Sequence, residues 1–391
     1  MLPGTTLTSV LRHSLGLPPT ASVSHALDIL RCGGMDTVPI VDDNSRILGV
    51  LTMTDLRSLL QTADSQAALA APVSSVMRKP GGVAKADMSL EDVRLELLRS
   101  GETAVAVLDE RDAYLGMVGL ADLIAPLPVR PRPAMIGGMA TPWGVYLTNG
   151  SIQAGTGNSA LVGSGIMMGA LIVFSHSIVG VGAWIVQSFT SFRLFYLFKA
   201  AVPMNVTADT VGWILLHGLS LPIFFLILRA LPLSKYHAAE HQAVHAMELG
   251  EPLCPEIVRR MPRVHPRCGT NIMAGGLVFI LVSQGLGALR LDWLDVWDAT
   301  ILGAVTTLFT WRSVGAFLQQ YFTTRPAGSN HLASGIAAAE SLEMKFLHSP
   351  PGRPTLRRRI WCSGMLQTVA GVWFAVFLCS RLSDWLLQTL P

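Results

Sequence analysis

Charge is scarce in this chain: 14% of its 391 residues are Asp, Glu, Lys or Arg, against 50% that are hydrophobic. With a mean hydropathy of +0.46, that balance excludes an ordinary soluble protein and predicts that much of the chain lies in a membrane. Cysteine is sparse too. Five residues (Cys32, Cys254, Cys268, Cys362 and Cys379) include no C-x-x-C pair, so no disulfide framework is expected. No charged-then-apolar secretory stretch opens the sequence, and together these absences predict a reducing, cytoplasmic setting for the N-terminal part. A formal charge of +3, with basic residues beside apolar runs and no interleaved aromatics, excludes a nucleic-acid platform.

What charge there is falls mostly before residue 135, and long stretches after it are nearly uncharged. The expected organisation is therefore a soluble head over residues 1–130 and a polytopic membrane domain over 131–391. The head repeats itself. At an offset of 67, residues 22–57 overlie 89–124, bringing Leu30 onto Leu97, Gly34 onto Gly101, Gly49 onto Gly116, Asp55 onto Asp122 and Leu56 onto Leu123. In each copy an amphipathic run (Val23, Ala26, Leu27, Leu30; Leu90, Val93, Leu97, Leu98) leads through Gly into a strand pair. The pairs are Val38-Pro39-Ile40-Val41 with Leu48-Gly49-Val50-Leu51, and 104–108 with 115–118; Thr52-Met53-Thr54-Asp55 then opens a helix with capping chemistry.

These residues, over roughly 18–126, resemble the cystathionine-β-synthase (CBS) domain pair, whose signature V-P-I-V-D…L-G-V-L-T-x-x-D-L is unusually complete in the first copy. The resemblance implies an α+β head that binds an adenine nucleotide between its copies and dimerises through them, with Thr52 and Asp55 on phosphate and ribose. In the second copy Gly119-Leu120-Ala121-Asp122 keeps the acid and loses the hydroxyl, so one competent site is expected, with Asp122 in the lesser role. The alternative is that Thr52 and Asp55 only cap a helix.

Beyond the head, about five segments meet the roughly 18–25 apolar residues that a crossing needs: 160–187, 210–231, 271–289, 294–318 and 362–387. The aromatic stretch 189–206, with Arg193, Lys199 and Pro203, reads as interfacial or re-entrant. Lys and Arg crowd into loops 232–270 and 319–361 (Lys235, Arg259, Arg260, Arg263, Arg267; Arg325, Lys345, Arg353, Arg357, Arg358, Arg359), leaving Arg193, Lys199 and Arg290 for the other connections. Positive-inside bias predicts both loops and the head in the cytoplasm and the C-terminus outside.

The first basic loop contains Tyr236-His237-Ala238-Ala239-Glu240-His241-Gln242-Ala243-Val244-His245-Ala246-Met247-Glu248, free of Gly and Pro. At about 100° per residue, with His237 at zero, Glu240 falls near 300°, His241 near 40°, His245 near 80° and Glu248 near 20°. One helical face carries all five. His237 and His241, one turn apart, are spaced to chelate one metal, and Glu240 is placed to accept a proton from a water there; the order is H-x-x-E-H. Glu248 lies about 10 Å along the axis from His241, so the third ligand is His265, Cys268 or water. The thiol–imidazole chemistry suits zinc.

The body over 133–347 resembles the bacterial membrane family called domain of unknown function 1385 (YqhQ-like, described as predicted metal-dependent enzymes). Its matching stretches are Tyr236-His237-x-x-Glu240-His241 with Glu248, His265-Pro266-Arg267-Cys268-Gly269-Thr270, Gln320-x-x-Thr323-Thr324-Arg325-Pro326 and Gly335 to Glu343. Two departures stand out: Ile136-Gly137-Gly138-Met139-Ala140-Thr141-Pro142 lacks the family's Glu, and Ala327 replaces the acid after Arg-Pro. His245 is not part of the family pattern and is left out of the metal site.

The reading is an α+β cytoplasmic CBS pair followed by an all-α polytopic domain in the bacterial inner membrane. It predicts a zinc-dependent hydrolase with His237, His241 and His265 or Cys268 on the metal, Glu240 as base, and Arg267 or Arg325 facing an anionic substrate. Its rivals are a CBS-regulated cation transporter or metal sensor, and a structural partner of a membrane complex. Few ionisable residues sit in the spans to mark an ion path, chiefly His176, His217, Asp298 and Arg312.

Overall fold

The computed structural model describes residues 7–12, 16–33, 36–62, 65–124, 133, 135–199, 207–288, 294–349 and 354–389. The expected domain boundary at 130/131, together with Arg290, Arg353 and residues 200–206 of the aromatic stretch, lies outside the described residues. By their contacts the residues form two units, one of 1–134 with 245–261 and 346–348, the other of 135–244, 262–345 and 349–391.

The first unit is α+β and repeats as its sequence does. Helix Val23–Gly33 is followed by the antiparallel hairpin Thr37–Val41 with Ile47–Thr52 and by helix Met53–Thr62; the second copy has helix Leu90–Ser100, strands Ala104–Leu108 and Tyr114–Gly119, and helix Leu120–Ile124. Val23, Ala26 and Leu30, at helical spacing, bury one face against Val38, Ile40 and Leu51. Val93 and Leu97 do the same against Val105, Val107 and Val118. Both hairpins turn on an aspartate: Asp42 accepts the N–H groups of Asn44 and Arg46, Asp109 those of Arg111 and Ala113, and Ser45 and Asp112 take left-handed φ values of 59° and 62°.

A parallel third strand, Val83–Lys85, flanks Ala104–Leu108. Its counterpart in the first copy shrinks to Leu17, whose N–H donates to Pro39 O and whose carbonyl accepts from Val41 N–H. Residues 245–261 also belong to this unit: the short helix Pro255–Val258 lies against Val23–Gly33, and Arg260 donates to the Gly16 carbonyl.

The second unit opens with a three-stranded antiparallel sheet that sequence reading did not anticipate, Gly137–Thr141, Gly144–Thr148 and Gln153–Gly155. Tyr146 is fully buried in it, and its hydroxyl donates to Cys362 O at 2.6 Å. Among the described residues five helices follow that are long and apolar enough to cross a membrane: Asn158–Phe189, Val211–Ala230, Gly269–Gly287, Val296–Thr323 and Met365–Leu382. Each covers its expected segment within a few residues, the fourth being extended by a π-helical turn, Gln319–Thr323. The aromatic stretch contributes a short helix, Leu194–Lys199.

Close helix packing here uses glycine. A Cβ on Gly165 or Gly371 would collide with the backbone of the opposing helix at Thr368 or Val162, so Asn158–Phe189 and Met365–Thr389 meet backbone to backbone. Of the ionisable span residues, Asp298 closes a capping box with Asp295, Arg312 lies over the Trp311 ring at 5.2 Å, and His176 stacks on His217 at 5.0 Å.

Candidate metal centre

Helix Leu233–Leu249 starts just after Pro232, where proline's missing N–H costs nothing, and runs through an alanine-rich stretch. Ala238, Ala239 and Ala243 are fully buried, and Gly335 of helix Ser329–Leu347 packs so near that a Cβ there would lie 2.8 Å from Ala239 O. Small residues on both sides thus let the two helices approach and hold the histidine face in place.

His237 and His241 lie one turn apart, with ring centroids separated by 4.4 Å. Each is fixed through Nδ1 by a backbone carbonyl: His237 on Thr323 O at 3.0 Å, His241 on Arg263 O at 2.5 Å. An imidazole whose Nδ1–H is held this way keeps its lone pair on Nε2, the arrangement that orients metal-ligating histidines. The Nε2 of His237 faces Cys268 Sγ at 3.2 Å, and single donor atoms of His237, His241 and Cys268 all lie within 4.8 Å of one another. Two imidazoles and a thiolate fit a zinc-like divalent ion, and three protein donors leave one position for water or substrate.

Of the two residues proposed as third ligand, Cys268 joins this group and His265 stands beside it, its ring 5.7 Å from that of His241. His265 Nδ1 accepts the Arg267 N–H at 3.3 Å. Burial, with the nearby His241, pushes its pKa down to about 4, so it is a neutral ring at physiological pH. For the His237–Cys268 pair, burial opposes both charged forms, but their mutual attraction overrides it, raising the imidazole and lowering the thiol to about 7.

Glu240 is buried on the same helix, under strand Gly137–Thr141. The Ala140 N–H donates to its carboxylate, and a Cβ on Gly138 would stand 2.6 Å from Oε1, so a larger residue there would have to push the Glu240 or Leu147 side chain aside. Burial raises the Glu240 pKa, with His241 and His237 drawing it back. A carboxyl raised in this way takes up a proton more readily than an exposed one, the property a general base draws on. The Gly137-Gly138 stretch, where the family's Glu is missing, therefore covers the Glu240 carboxyl.

Two side chains that sequence reading missed hold the Cys268 turn. Gln319, fully buried in the π-helical turn, accepts the His265 N–H at 2.8 Å and donates to Asn271 Oδ1 at 2.7 Å; Asn271 in turn donates to Pro266 O at 2.8 Å. Losing one partner in such a network leaves buried polar groups unpaired at about 1–3 kcal/mol each. The same π turn presents the Thr323 carbonyl to His237, as such irregularities often do at functional sites. The sequence signal was faint: two amides 48 positions apart.

In the head, Thr52 and Asp55 cap each other's helix start: Asp55 N–H donates to Thr52 Oγ1 at 3.2 Å, and Thr52 N–H and Oγ1–H donate to Asp55 Oδ2 at 2.9 and 2.6 Å. Arg78 Nε also donates to Asp55 at 3.1 Å. Burial works to raise the Asp55 pKa, but the bonds from Thr52 and Arg78 prevail and lower it. Asp122 accepts from Gly119 N–H at 3.0 Å and from Arg12 at 2.6 Å. Of the two predicted anion-facing arginines, Arg325 donates through Nη1 to Arg229 O at 3.0 Å, while Arg267 is solvent-exposed.

The fold and site thus define a two-part protein, an α+β tandem-repeat head and a helical body with a His-His-Cys cluster. Family models name the parts. The CBS domain model matches residues 9–62 and 73–128, and the model described as protein of unknown function (DUF1385) matches 166–302, a narrower range than the motifs span. The chain therefore carries a tandem CBS pair followed by a DUF1385 region.

Solved structures similar to it include CBSX2 in complex with AMP (24% identity, 32% of this chain and 96% of that one, TM-score 0.28). A putative acetoin utilization protein (AcuB) from Vibrio cholerae matches at 20% identity over 31% of this chain and 89% of that one, TM-score 0.29. The CBS domain of the bacterial CNNM/CorC family Mg2+ transporter in complex with ATP matches at 21%, over 31% and 84%, TM-score 0.27. No curated protein matches the chain.

Proposed function

We propose that the protein is a membrane-embedded, metal-dependent hydrolase governed by its CBS pair. The observation that carries this is the convergence of His237, His241 and Cys268, both imidazoles pinned through Nδ1, beside the buried carboxyl of Glu240. A divalent ion bound there would acidify a water and polarise a phosphoryl or acyl oxygen. The chain's own contributions are to orient Nε2 of each imidazole, to hold the thiolate at the start of helix Gly269–Ala288, and to accept a proton at the Glu240 carboxylate under the cover of Gly138 and Ala140.

The rival reading as a CBS-regulated cation transporter has less support. Among the described residues the charged side chains within the spans are Arg229 and Arg381 near span ends, Asp298 in a helix cap and Arg312 over a ring, and the His-His-Cys cluster lies outside the spans. Loading the full-length protein with Co2+ tests the site directly. An intense near-ultraviolet thiolate-to-cobalt band is expected in the wild type and should vanish in Cys268→Ser, whereas an unchanged spectrum would remove Cys268 from the ligand set.

For the head we infer an adenine nucleotide, on the complete T-x-x-D of the first copy, and dimerisation through the CBS pairs. Orientation follows the basic loops, with head and metal centre on the cytoplasmic side of a bacterial inner membrane. Titration calorimetry on the full chain should show AMP or ATP binding that Asp55→Ala abolishes and Asp122→Ala weakens less. Absence of heat with every adenosine phosphate would leave Thr52 and Asp55 as helix caps.

A further inference from the structure

We infer that the substrate is a membrane phospholipid, engaged at its phosphate; this rests on the hydrolase reading and names what it acts on. Depth in the bilayer points to it. Val211–Ala230, 20 residues rising about 1.5 Å each, spans about 30 Å, the thickness of the hydrocarbon layer. The metal cluster sits where this span and two others end. Cys268 immediately precedes span Gly269–Gly287, and Thr323 is the last residue of span Val296–Thr323. His237, in the helix after Ala230, touches both: Nε2 is 3.2 Å from Cys268 Sγ and Nδ1 3.0 Å from Thr323 O. The cluster therefore lies at the level of lipid headgroups.

The residues around it carry the marks of that level. Tyr321, two residues before Thr323, is 57% exposed, and amphipathic aromatic rings gather where membrane meets water. Its carbonyl accepts from Arg229, one residue before the end of its own span. Arg325 lies two residues beyond Thr323; its backbone N–H donates to Ser234 O at 2.9 Å and its Nη1 to Arg229 O at 3.0 Å.

Arg229 and Arg325 thus both stand at these span ends, each using Nη1 on a backbone carbonyl, and among the described residues neither forms an ion pair with a carboxylate. Guanidinium is matched to phosphate in charge and in donor geometry. A phosphodiester of the bilayer stands at this depth already, whereas a soluble nucleotide or peptide would have to descend to it. In the reaction the oxygen of water forms a bond to phosphorus as the P–O bond to an alcohol oxygen breaks. Glu240 accepts a proton from that water, and the departing oxygen takes it up.

The test uses full-length, zinc-loaded protein in vesicles of phosphatidylglycerol and phosphatidylethanolamine, with lipid products read by mass spectrometry and metal measured on the same sample. The wild type is expected to convert phospholipid to diacylglycerol or phosphatidic acid, and Glu240→Gln to do so about a hundredfold more slowly or not at all. Native mass spectrometry supplies a readout without turnover. Glu240→Gln should leave the vesicles with phosphatidylglycerol attached. Adding Arg229→Ala and Arg325→Ala should lose that lipid with metal content unchanged, and the paired lysine substitutions should retain part of it.

Metal-bound protein that neither converts nor retains phospholipid overturns the inference. So does protein that cleaves bis(p-nitrophenyl) phosphate or a peptide but no lipid; both results leave the hydrolase reading standing. A wild type that binds no metal removes the hydrolase reading itself.

Discussion

Purified full-length protein should carry about one zinc-like ion per chain, and replacing His237 and His241 together by alanine should abolish it. The expected loss is large because, on the proposed reading, both removed groups are ligands and the remaining donor, Cys268, is a single thiolate. Structural zinc sites are worth about 10–16 kcal/mol in apparent binding free energy at neutral pH, and one thiolate without its imidazoles holds only a small part of that. The bonds from Nδ1 sharpen the prediction. Thr323 O and Arg263 O orient the rings through Nδ1 and would lie outside the ligand set, and comparable orienting partners cost about 10–100-fold in affinity when lost.

Single variants should therefore separate the roles. His241→Ala would remove one of the three donors, while His265→Ala, outside the three-donor group, should leave the stoichiometry near one: it keeps the backbone N–H that donates to Gln319 and loses only a buried ring and the Nδ1 that accepts Arg267 N–H. Elemental analysis of wild type, double variant and His265→Ala decides it. Equal metal in wild type and double variant would dismiss the site, and loss of metal in His265→Ala would put that ring among the ligands.

The parts of this site that were legible in the sequence are those written at short range. His237, Glu240 and His241 share a face because the helical period places residues three and four apart together, and nothing from elsewhere in the chain is needed to see it. The CBS repeat was legible for a similar reason: the offset of 67 that joins Asp55 to Asp122 also joins Leu17 to Ala84, the residues that hold the flanking strand in each copy. Five long apolar stretches gave the spans by composition alone.

What stayed illegible depends on contacts between distant segments. His265 and Cys268 stand three apart, and sequence alone offers both as donors; Gln319 and Asn271 clamp the turn in which the Cys268 thiol meets His237. The Thr323 carbonyl leaves no trace in residue type, because every residue has one. The sheet over 137–155 was missed because its strands are short and glycine-rich, and strand Gly137–Thr141 shows its purpose only once Glu240 lies beneath it.

Glu240→Gln should leave metal content near that of the wild type while lowering turnover by about a hundredfold or more, the scale of a lost general base. Glutamine keeps the length and the oxygen that accepts from Ala140 N–H, and fits under Gly138 as the native side chain does. It removes only the capacity to take a proton. Burial already raises the pKa of this carboxyl, so a neutral amide is easier to bury and thermal stability should hold or rise. That pairing of an intact or more stable fold with lost activity is what distinguishes a base from a structural residue. His237→Ala, by contrast, should lose metal and turnover together. If Glu240→Gln turns over normally while His237→Ala does not, the metal supports a scaffold or sensor and the hydrolase reading fails; if Glu240→Gln also sheds the metal, its carboxylate belongs to the ligand set and the proton must go elsewhere.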